Sequence, residues 1–192
     1  MKSGVARWYW SHLTGAKRAL DLGCASGELG RYKPQGVEVL GLDITLALVA
    51  QAAGYEIAQV WDLDQPTPLP FPDDYFDAVV AKDILEHLQK PWRTVAEMHR
   101  VLRPGGIVLA SVPLPRGRRV WDDYTHVRGF TERALRQMFT DAGFEVIALW
   151  KMGGVPLTAR LDLIRLVPWL LRIPPLDWVY ASSYEIKVVR ID

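Results

Sequence analysis

Short apolar runs of strand type recur along this chain, and in its first half they alternate with stretches that have helical spacing. These runs are RALDL, VEVLGLD, EIAQVW, FDAVVA, GIVLASV, FEVIALW and YEIKVVRI. Strands that alternate with helices are joined by right-handed crossovers, which build a mostly parallel sheet covered by helices on both faces. The sequence therefore predicts an α/β fold around one central sheet.

Two helices can be placed from the signals at their ends. The first is predicted from Pro91 to Leu102, because proline suits the first helical turn and Pro104 stops the helix. The second is predicted to begin after Thr131, whose hydroxyl can cap it, and to stop at Gly143. Both helices lie between predicted strands.

Composition and charge exclude several classes of protein. The chain has 192 residues, of which 49% are hydrophobic and 23% charged, and we expect residues 1–192 to form a single domain. The formal net charge of +1 offers no field that would attract nucleic acid. A lone cysteine forms no internal disulfide, and neither a secretory leader nor an uninterrupted membrane span is evident. A cytoplasmic location is predicted.

A loop of small residues follows the first predicted strand, in ALDLGCASGELG at residues 19–30. Ligands of such sheets bind at the carboxyl ends of the strands, and this loop lies at that edge. A dinucleotide pyrophosphate needs the pattern Gly-x-Gly-x-x-Gly. Ala25 and Glu28 occupy the second and third glycine positions after Gly23, so a nicotinamide cofactor is disfavoured.

The same loop resembles motif I of class I S-adenosylmethionine-dependent methyltransferases, which reads acidic-x-Gly-x-Gly-x-Gly. Asp21, Gly23 and Gly27 match the motif, and Ala25 replaces its middle glycine. The resemblance implies the Rossmann-like fold of that class, with a seven-stranded sheet. It also implies that the loop, including Cys24, binds the methionine part of S-adenosylmethionine, and that S-adenosylhomocysteine is the product.

Two acidic positions further along match the family's contacts with the adenosine. Asp43 ends the second strand, with Ile44 beside it, and can accept hydrogen bonds from both ribose hydroxyls. Capping of the next helix is the alternative role for Asp43. Asp62 and Leu63 match the pair that meets the adenine, and Asp64 is a competing carboxylate.

Two longer stretches extend the resemblance over residues 18–150. LPFPDDYFDAVVAKDILEHL and EMHRVLRPGG are close to the form common in the methyltransferase type 11 group. The resemblance implies that Lys82 and His87, at and after the end of the fourth strand, lie on the cofactor side. For His87, a structural role and a catalytic role stay open.

Methyl transfer from S-adenosylmethionine needs few catalytic groups, because the sulfonium of the cofactor already activates its methyl group. The enzyme aligns an acceptor lone pair and excludes water. The polar cluster WDDYTHVRGFT follows the fifth strand, and its His126 is the candidate general base. The alternative is that His126 ties this loop to the sheet. No metal is predicted, because His12, His99 and Cys24 are not at metal-ligand spacing with His87 or His126.

Missing motifs narrow the choice of acceptor. The stretch AKDILEH lacks the Asn-Pro-Pro-Tyr type of motif that holds a planar nitrogen, and the single cysteine lies in the cofactor loop. A cytosine-C5 mechanism therefore lacks its nucleophile. A small molecule methylated at oxygen is the predicted acceptor. Arg116, Arg118 and Arg119 hold an acceptor phosphate or carboxylate, or else simply keep their loop in water.

The resemblance fades at residues 153–181, which are rich in leucine and interleaved with arginine. They are predicted to cover an apolar or lipid-linked acceptor, to form a homodimer face, or to rest on a membrane surface, in that order. Near the start of the chain, four residues with aromatic rings precede the first strand: Trp8, Tyr9, Trp10 and His12. Contact with the cofactor and closure of the core are both open for them.

Two other function classes stay open beside a methyltransferase. A non-catalytic regulator with the same fold, of the kind that partners a methionine-biosynthesis enzyme, would keep Asp21, Asp43 and Asp62 for cofactor binding without turnover. An oxidoreductase would need the glycines that the loop lacks, and titration with a nicotinamide cofactor would detect it.

Overall fold

The computed structural model describes residues 3–115, 120–153 and 181–192, and a seven-stranded sheet lies within them. The strands are β1 (Arg18–Leu22), β2 (Glu38–Asp43), β3 (Ile57–Val60), β4 (Phe76–Lys82), β5 (Leu102–Pro113), β6 (Phe144–Gly153) and β7 (Ala181–Arg190). Their order across the sheet is β3-β2-β1-β4-β5-β7-β6. β7 runs antiparallel to both neighbours, and the other paired strands are parallel. Each predicted run forms one strand, and the predicted Rossmann-like α/β fold is confirmed.

Five α-helices and one short 3₁₀ helix lie among the described residues. They are α1 (Ser3–His12), α2 (Glu28–Arg31), α3 (Leu46–Val49), the 3₁₀ helix (Leu85–His87), α4 (Pro91–Val101) and α5 (Glu132–Asp141). α4 begins at Pro91 as predicted but ends one residue before the predicted Leu102. Leu102 is extended because it already pairs with Phe76 in the sheet.

The predicted signals at the two ends of α5 are confirmed. The Thr131 side chain accepts a hydrogen bond from the Ala134 N–H at 3.2 Å, as an N-cap does. Gly143, two residues after the helix, has φ of 89° and donates its N–H to the Thr140 carbonyl. Only glycine adopts this left-handed conformation without strain, so the chain can turn here into β6.

Removal of the α5 cap gives a first test of this local structure. Thr131→Ala should lower the free energy of unfolding by about 1 kcal/mol, because one N–H of the first turn loses its acceptor. Urea denaturation measures the change. Thr131→Ser keeps the hydroxyl and should stay close to the wild type, so equal losses in both variants would contradict the capping role.

Apolar residues cover both faces of the sheet, and β4 shows how. Val79 and Ala81 belong to one buried cluster, and Ala78 and Val80 belong to the cluster on the opposite face. This alternation follows from the two-residue period of a strand. β4 is therefore buried on both sides, as a central strand of a parallel sheet should be.

The aromatic residues of α1 close the second of these clusters. Tyr9 and Trp10 are buried in it, and the Trp10 indole N–H donates to the Leu29 carbonyl at 3.0 Å. Trp8 is partly buried and packs edge-on against Trp150. Of the two roles left open by the sequence, closure of the core applies to Tyr9 and Trp10.

Three expectations from the sequence fall wholly or partly outside the described residues. Residues 154–180 hold nearly all of the apolar segment, and 116–119 hold the three arginines near the predicted acceptor site. Their predicted roles, and the single domain over residues 1–192, stay predictions. In the described part of the chain, no helix combines the length and apolar character needed to cross a membrane.

Candidate active site

A cavity of about 680 Å³, here called the loop cavity, lies at the carboxyl ends of β1, β2 and β4. The strand order reverses beside β1, so this is the place where a doubly wound sheet binds its ligand. Of the predicted cofactor residues, the lining contains Asp21, Gly23, Cys24, Ala25, Asp43, Ile44, Lys82 and His87. Gly27, Asp62 and Leu63 are not part of the lining.

Hydrogen bonds to the end of β2 fix the loop that follows β1. The N–H groups of Gly23 and Cys24 donate to the Leu42 carbonyl at 2.8 and 3.0 Å. Ala25 has φ of 45°, in the left-handed region that normally favours glycine. Its N–H donates to Asp43 Oδ2 at 2.9 Å, which helps to hold alanine at the motif's middle glycine position.

Asp43 shows both a structural role and a capacity for ligand binding. Its Oδ1 accepts from the Thr45 N–H at 2.8 Å, while Oδ2 accepts from the Ala25 N–H. Thr45, and not Asp43, is the N-cap residue of α3. An ionised carboxylate has about four lone-pair positions, so two remain for the hydroxyls of a ribose in the cavity.

Gly27 allows the loop to pack closely against the backbone of Ala53. Its φ is 86°, and a Cβ atom there would lie 2.6 Å from the Ala53 backbone nitrogen. No side chain fits that space without displacing the backbone. The motif glycine is therefore explained by conformation and close packing, not by a contact with the cavity.

Tyr55 is a site residue that the sequence analysis missed. Its hydroxyl donates to Asp21 Oδ2, and its ring lies where side chains at Gly27, Gly30 and Gly41 would otherwise be. Gly30 in a helix and Gly41 in a strand were the available signal, because such glycines often mark a close approach. Asp21 is buried, and burial raises its pKa to about 7.

The predicted adenine pair follows β3 and is not part of the lining of the loop cavity. Asp62 is exposed and accepts from the Asp64 N–H at 2.9 Å, and Leu63 is partly buried. The competing carboxylate of Asp64 accepts from the N–H groups of Gln89 and Lys90 at 2.9 to 3.2 Å. Asp64 therefore holds the start of α4, and adenine contact by Asp62 and Leu63 stays a prediction.

A second cavity of about 500 Å³, here called the acidic cavity, adjoins the first. Its lining includes the carboxylates of Asp83, Glu86, Asp123 and Glu185, the rings of Trp8 and Tyr9, and Pro113, His126 and Met152. Lys82, Asp83 and His87 line both cavities. The two cavities are therefore adjacent at these three residues.

His126 presents one defined ring nitrogen to the acidic cavity. Its Nδ1 lies 2.5 Å from the Val120 carbonyl oxygen. A carbonyl only accepts, so Nδ1 carries the proton and Nε2 keeps a lone pair. Nε2 lies 3.9 Å from Glu86 Oε1 and 3.9 Å from Asp123 Oδ2. Val120 belongs to the same loop, so this hydrogen bond does not tie the loop to the sheet, and the role of His126 as general base stays a prediction.

His87 is oriented in the same way by a short chain of hydrogen bonds. Thr125 Oγ1 donates to Asp123 Oδ1 at 2.6 Å and lies 2.9 Å from His87 Nδ1. Because the hydroxyl proton is already given to Asp123, His87 Nδ1 is the donor to Thr125. The pKa of Asp123 is lowered, chiefly by these bonds from Thr125, so its carboxylate is the charged acceptor.

Glu86 is the most unusual group of the acidic cavity. It is 1% exposed, and neither carboxylate oxygen has a hydrogen-bond partner in the described part of the chain. Burial raises its pKa to about 8. Its ligand atoms and those of His87 and His126 lie within 4.8 Å of one another. Spacing along the sequence did not indicate this cluster, because the fold brings His126 back to the 3₁₀ helix.

Glu185 and Tyr9 form a buried pair on another wall of the acidic cavity. The Tyr9 hydroxyl donates to Glu185 Oε2 at 2.5 Å. Burial raises the pKa of Glu185 to about 7 and that of Tyr9 well above its usual range. The pair also ties α1 to β7, at the antiparallel side of the sheet.

These features agree with what comparison with known proteins finds. Residues 9–149 match the family model described as a methyltransferase domain. The chain belongs to this family and is an S-adenosylmethionine-dependent methyltransferase of class I, with S-adenosylmethionine as its methyl donor. The predicted family, enzyme class and cofactor are confirmed.

Individual relatives are more distant. The chain is 30% identical over 154 residues to a malonyl-[acyl-carrier protein] O-methyltransferase of Pseudescherichia vulneris, covering 74% of this chain and 58% of that protein. It is 32% identical over 117 residues to the 27-O-demethylrifamycin SV methyltransferase of Amycolatopsis mediterranei, covering 55% and 43%. The chain thus spans about half the length of these curated relatives.

The solved structures confirm the fold. A methyltransferase structure from Archaeoglobus fulgidus superposes with a TM-score of 0.76 at 20% identity, covering 98% of this chain and 92% of that one. At this identity the likeness concerns the fold alone.

Proposed function

We propose that this methyltransferase acts on a small molecule held in the acidic cavity and methylates it at oxygen. The observation that supports this most directly is the wall of Lys82, Asp83 and His87 that the two cavities share. With the cofactor in the loop cavity and its methyl group beside these three residues, an acceptor in the acidic cavity would contact the methyl carbon directly. The transfer then needs only alignment and the exclusion of water.

In this proposal, His126 accepts the proton of the acceptor hydroxyl. A lone pair of the acceptor oxygen forms the new C–O bond as the C–S bond breaks, and the electrons of that bond stay on sulfur. The cofactor leaves as S-adenosylhomocysteine with a neutral sulfur. The hydroxyl proton passes to Nε2 of His126, whose Nδ1–H is held by the Val120 carbonyl.

Oxygen is preferred for two reasons. Both relatives described above are named as acting on an oxygen acceptor or an O-demethylated compound. A hydroxyl acceptor must also lose its proton, and the lone pair on Nε2 of His126 can accept it. An uncharged amine can attack the methyl group without a base. An apolar or lipid-linked acceptor, and contact with a membrane surface or a second chain through residues 153–181, are further proposals that rest on sequence.

Calorimetric titration with S-adenosylmethionine, S-adenosylhomocysteine and NAD tests the cofactor half of the proposal. Both adenosyl ligands should bind and NAD should not. Asp43→Ala should lose roughly 1.5 to 3 kcal/mol of binding free energy, as expected for hydrogen bonds to a charged group. Asp141→Ala is the matched control, because Asp141 is exposed and lines neither cavity.

The acceptor half needs a transfer assay. S-adenosylhomocysteine formation is followed with a panel of malonyl thioesters, aliphatic and aromatic alcohols, and amines, with Asp43→Ala as the inactive reference. Turnover with a hydroxyl or carboxyl compound supports the proposal. Turnover with amines alone would contradict methylation at oxygen, and cofactor binding without any turnover would favour the non-catalytic regulator.

A further inference from the structure

We propose that Glu86, His87 and His126 form a binding site for one divalent transition-metal ion, such as Zn²⁺, in the wall of the acidic cavity. The three side chains lie on two separate segments, the 3₁₀ helix and the loop before α5. Two imidazoles with one carboxylate are a ligand set that zinc uses in catalytic sites, where a fourth position stays open. Mg²⁺ and Ca²⁺ prefer oxygen ligands and suit this set less well.

Both histidines are prepared as ligands by their hydrogen bonds. His126 gives its Nδ1–H to the Val120 carbonyl, and His87 gives its Nδ1–H to Thr125, which in turn donates to Asp123. Nε2 is therefore the free lone pair on each ring. Metal-binding histidines are commonly fixed in this way by a carbonyl or carboxylate on the other ring nitrogen.

The burial of Glu86 is independent support for a bound cation at this site. A buried polar group without a partner is rare and costly. Glu86 is 1% exposed, and both of its oxygens are unpartnered among the described residues. A bound ion would give this carboxylate the partner that the surrounding protein does not.

The cluster needs little rearrangement to bind an ion. The N–H groups of Val127 and Arg128 donate to the Glu86 carbonyl at 2.9 and 3.3 Å, so the loop with His126 is tied to the 3₁₀ helix. The ligand atoms lie within 4.8 Å of one another. Ligands of a tetrahedral zinc ion lie about 3.4 Å apart, which asks for shifts of about 1 Å.

The role of the ion rests on the proposed function. Its open position would face the acidic cavity, where it can receive the acceptor's oxygen. A metal-bound hydroxyl loses its proton more easily, and here that proton would leave to solvent. With an ion bound, Nε2 of His126 would be a metal ligand and not a base, and the ion would promote loss of the acceptor's proton in its place.

Metal binding can be tested without any acceptor. Chelator-treated protein is titrated with Zn²⁺ by calorimetry and with Co²⁺ by visible absorption. We expect one ion per chain and a tetrahedral Co²⁺ spectrum. Glu86→Gln and His126→Gln should each weaken Zn²⁺ binding by more than about 100-fold, and Thr125→Ala, which removes the hydroxyl between His87 and Asp123, by about 10-fold. His12→Gln, a histidine outside the cluster, should bind as the wild type does.

The outcomes separate this proposal from the proposed function. Equal Zn²⁺ affinity in the wild type, Glu86→Gln and His126→Gln would overturn the site, as would a Co²⁺ spectrum without tetrahedral bands. His87→Gln replaces Glu86→Gln if that variant does not fold. Calorimetry with S-adenosylhomocysteine on the same samples reports on the loop cavity alone. Stoichiometric metal binding without methyl transfer would therefore support the site while contradicting the function.

Discussion

Gly30→Ala should lower the free energy of unfolding by about 2 to 3 kcal/mol, the upper range for an overpacked core position. A Cβ atom at Gly30 would lie 2.5 Å from Tyr55 Cε2 and 2.8 Å from the Gly54 carbonyl oxygen. Gly30 lies in α2, where alanine would otherwise stabilise a helix by about 1 kcal/mol. The predicted sign is therefore opposite to the usual effect of this substitution.

A double-mutant cycle assigns the effect to Tyr55. Urea denaturation is measured for Gly30→Ala, Tyr55→Ala and the double variant. In the Tyr55→Ala background the cost of Gly30→Ala should fall markedly, leaving only the contact with Gly54, because the ring is gone. A similar cost in both backgrounds would contradict the steric explanation.

The same variants link packing to cofactor binding. Tyr55 donates to Asp21, which lines the loop cavity, so a displaced ring also displaces the partner of that carboxylate. Gly30→Ala should therefore weaken S-adenosylhomocysteine binding although Gly30 does not line the cavity. Unchanged affinity in a folded Gly30→Ala protein would show that Tyr55 does not position Asp21.

The sheet and the loop cavity were accessible from sequence because their signals are local. Each strand is a short apolar run, and Asp21, Gly23 and Asp43 stand at the ends of two such runs. In a parallel sheet the ends of neighbouring strands meet at one edge. Local pattern and topology together were therefore enough to bring these residues to one cavity.

The missed features depend on contacts between distant segments. Tyr55 follows no recognisable pattern, and its role appears only when Gly30 and Gly41 pack against its ring. Glu86 and His126 meet because backbone hydrogen bonds join the 3₁₀ helix to the loop before α5. No spacing rule along the chain predicts such a meeting. The expectation of no metal was based on sequence spacing alone, and it stays a prediction.

Glu185→Gln should become more stable relative to the wild type as pH rises from about 4 to 8, by about 3 kcal/mol in total. Glu185 is 6% exposed, and burial raises its pKa from 4.5 to about 7. Between these values the folded protein keeps a proton that the unfolded chain releases. The free energy of unfolding of the wild type therefore falls across this window, and glutamine, which does not titrate, removes that contribution.

Tyr9→Phe should change the pH dependence of stability in the opposite direction from Glu185→Gln. The hydrogen bond from Tyr9 lowers the pKa of Glu185, against the larger effect of burial. Without it the pKa of Glu185 should rise further, so the loss of stability should continue to higher pH than in the wild type. Urea denaturation across the pH range measures all three proteins, with a substitution at the exposed Glu145, Glu145→Gln, as a control. If the difference between wild type and Glu185→Gln does not change with pH, the carboxyl of Glu185 is not protonated in the folded protein near neutral pH, and its pairing with Tyr9 must hold a charged group between α1 and β7.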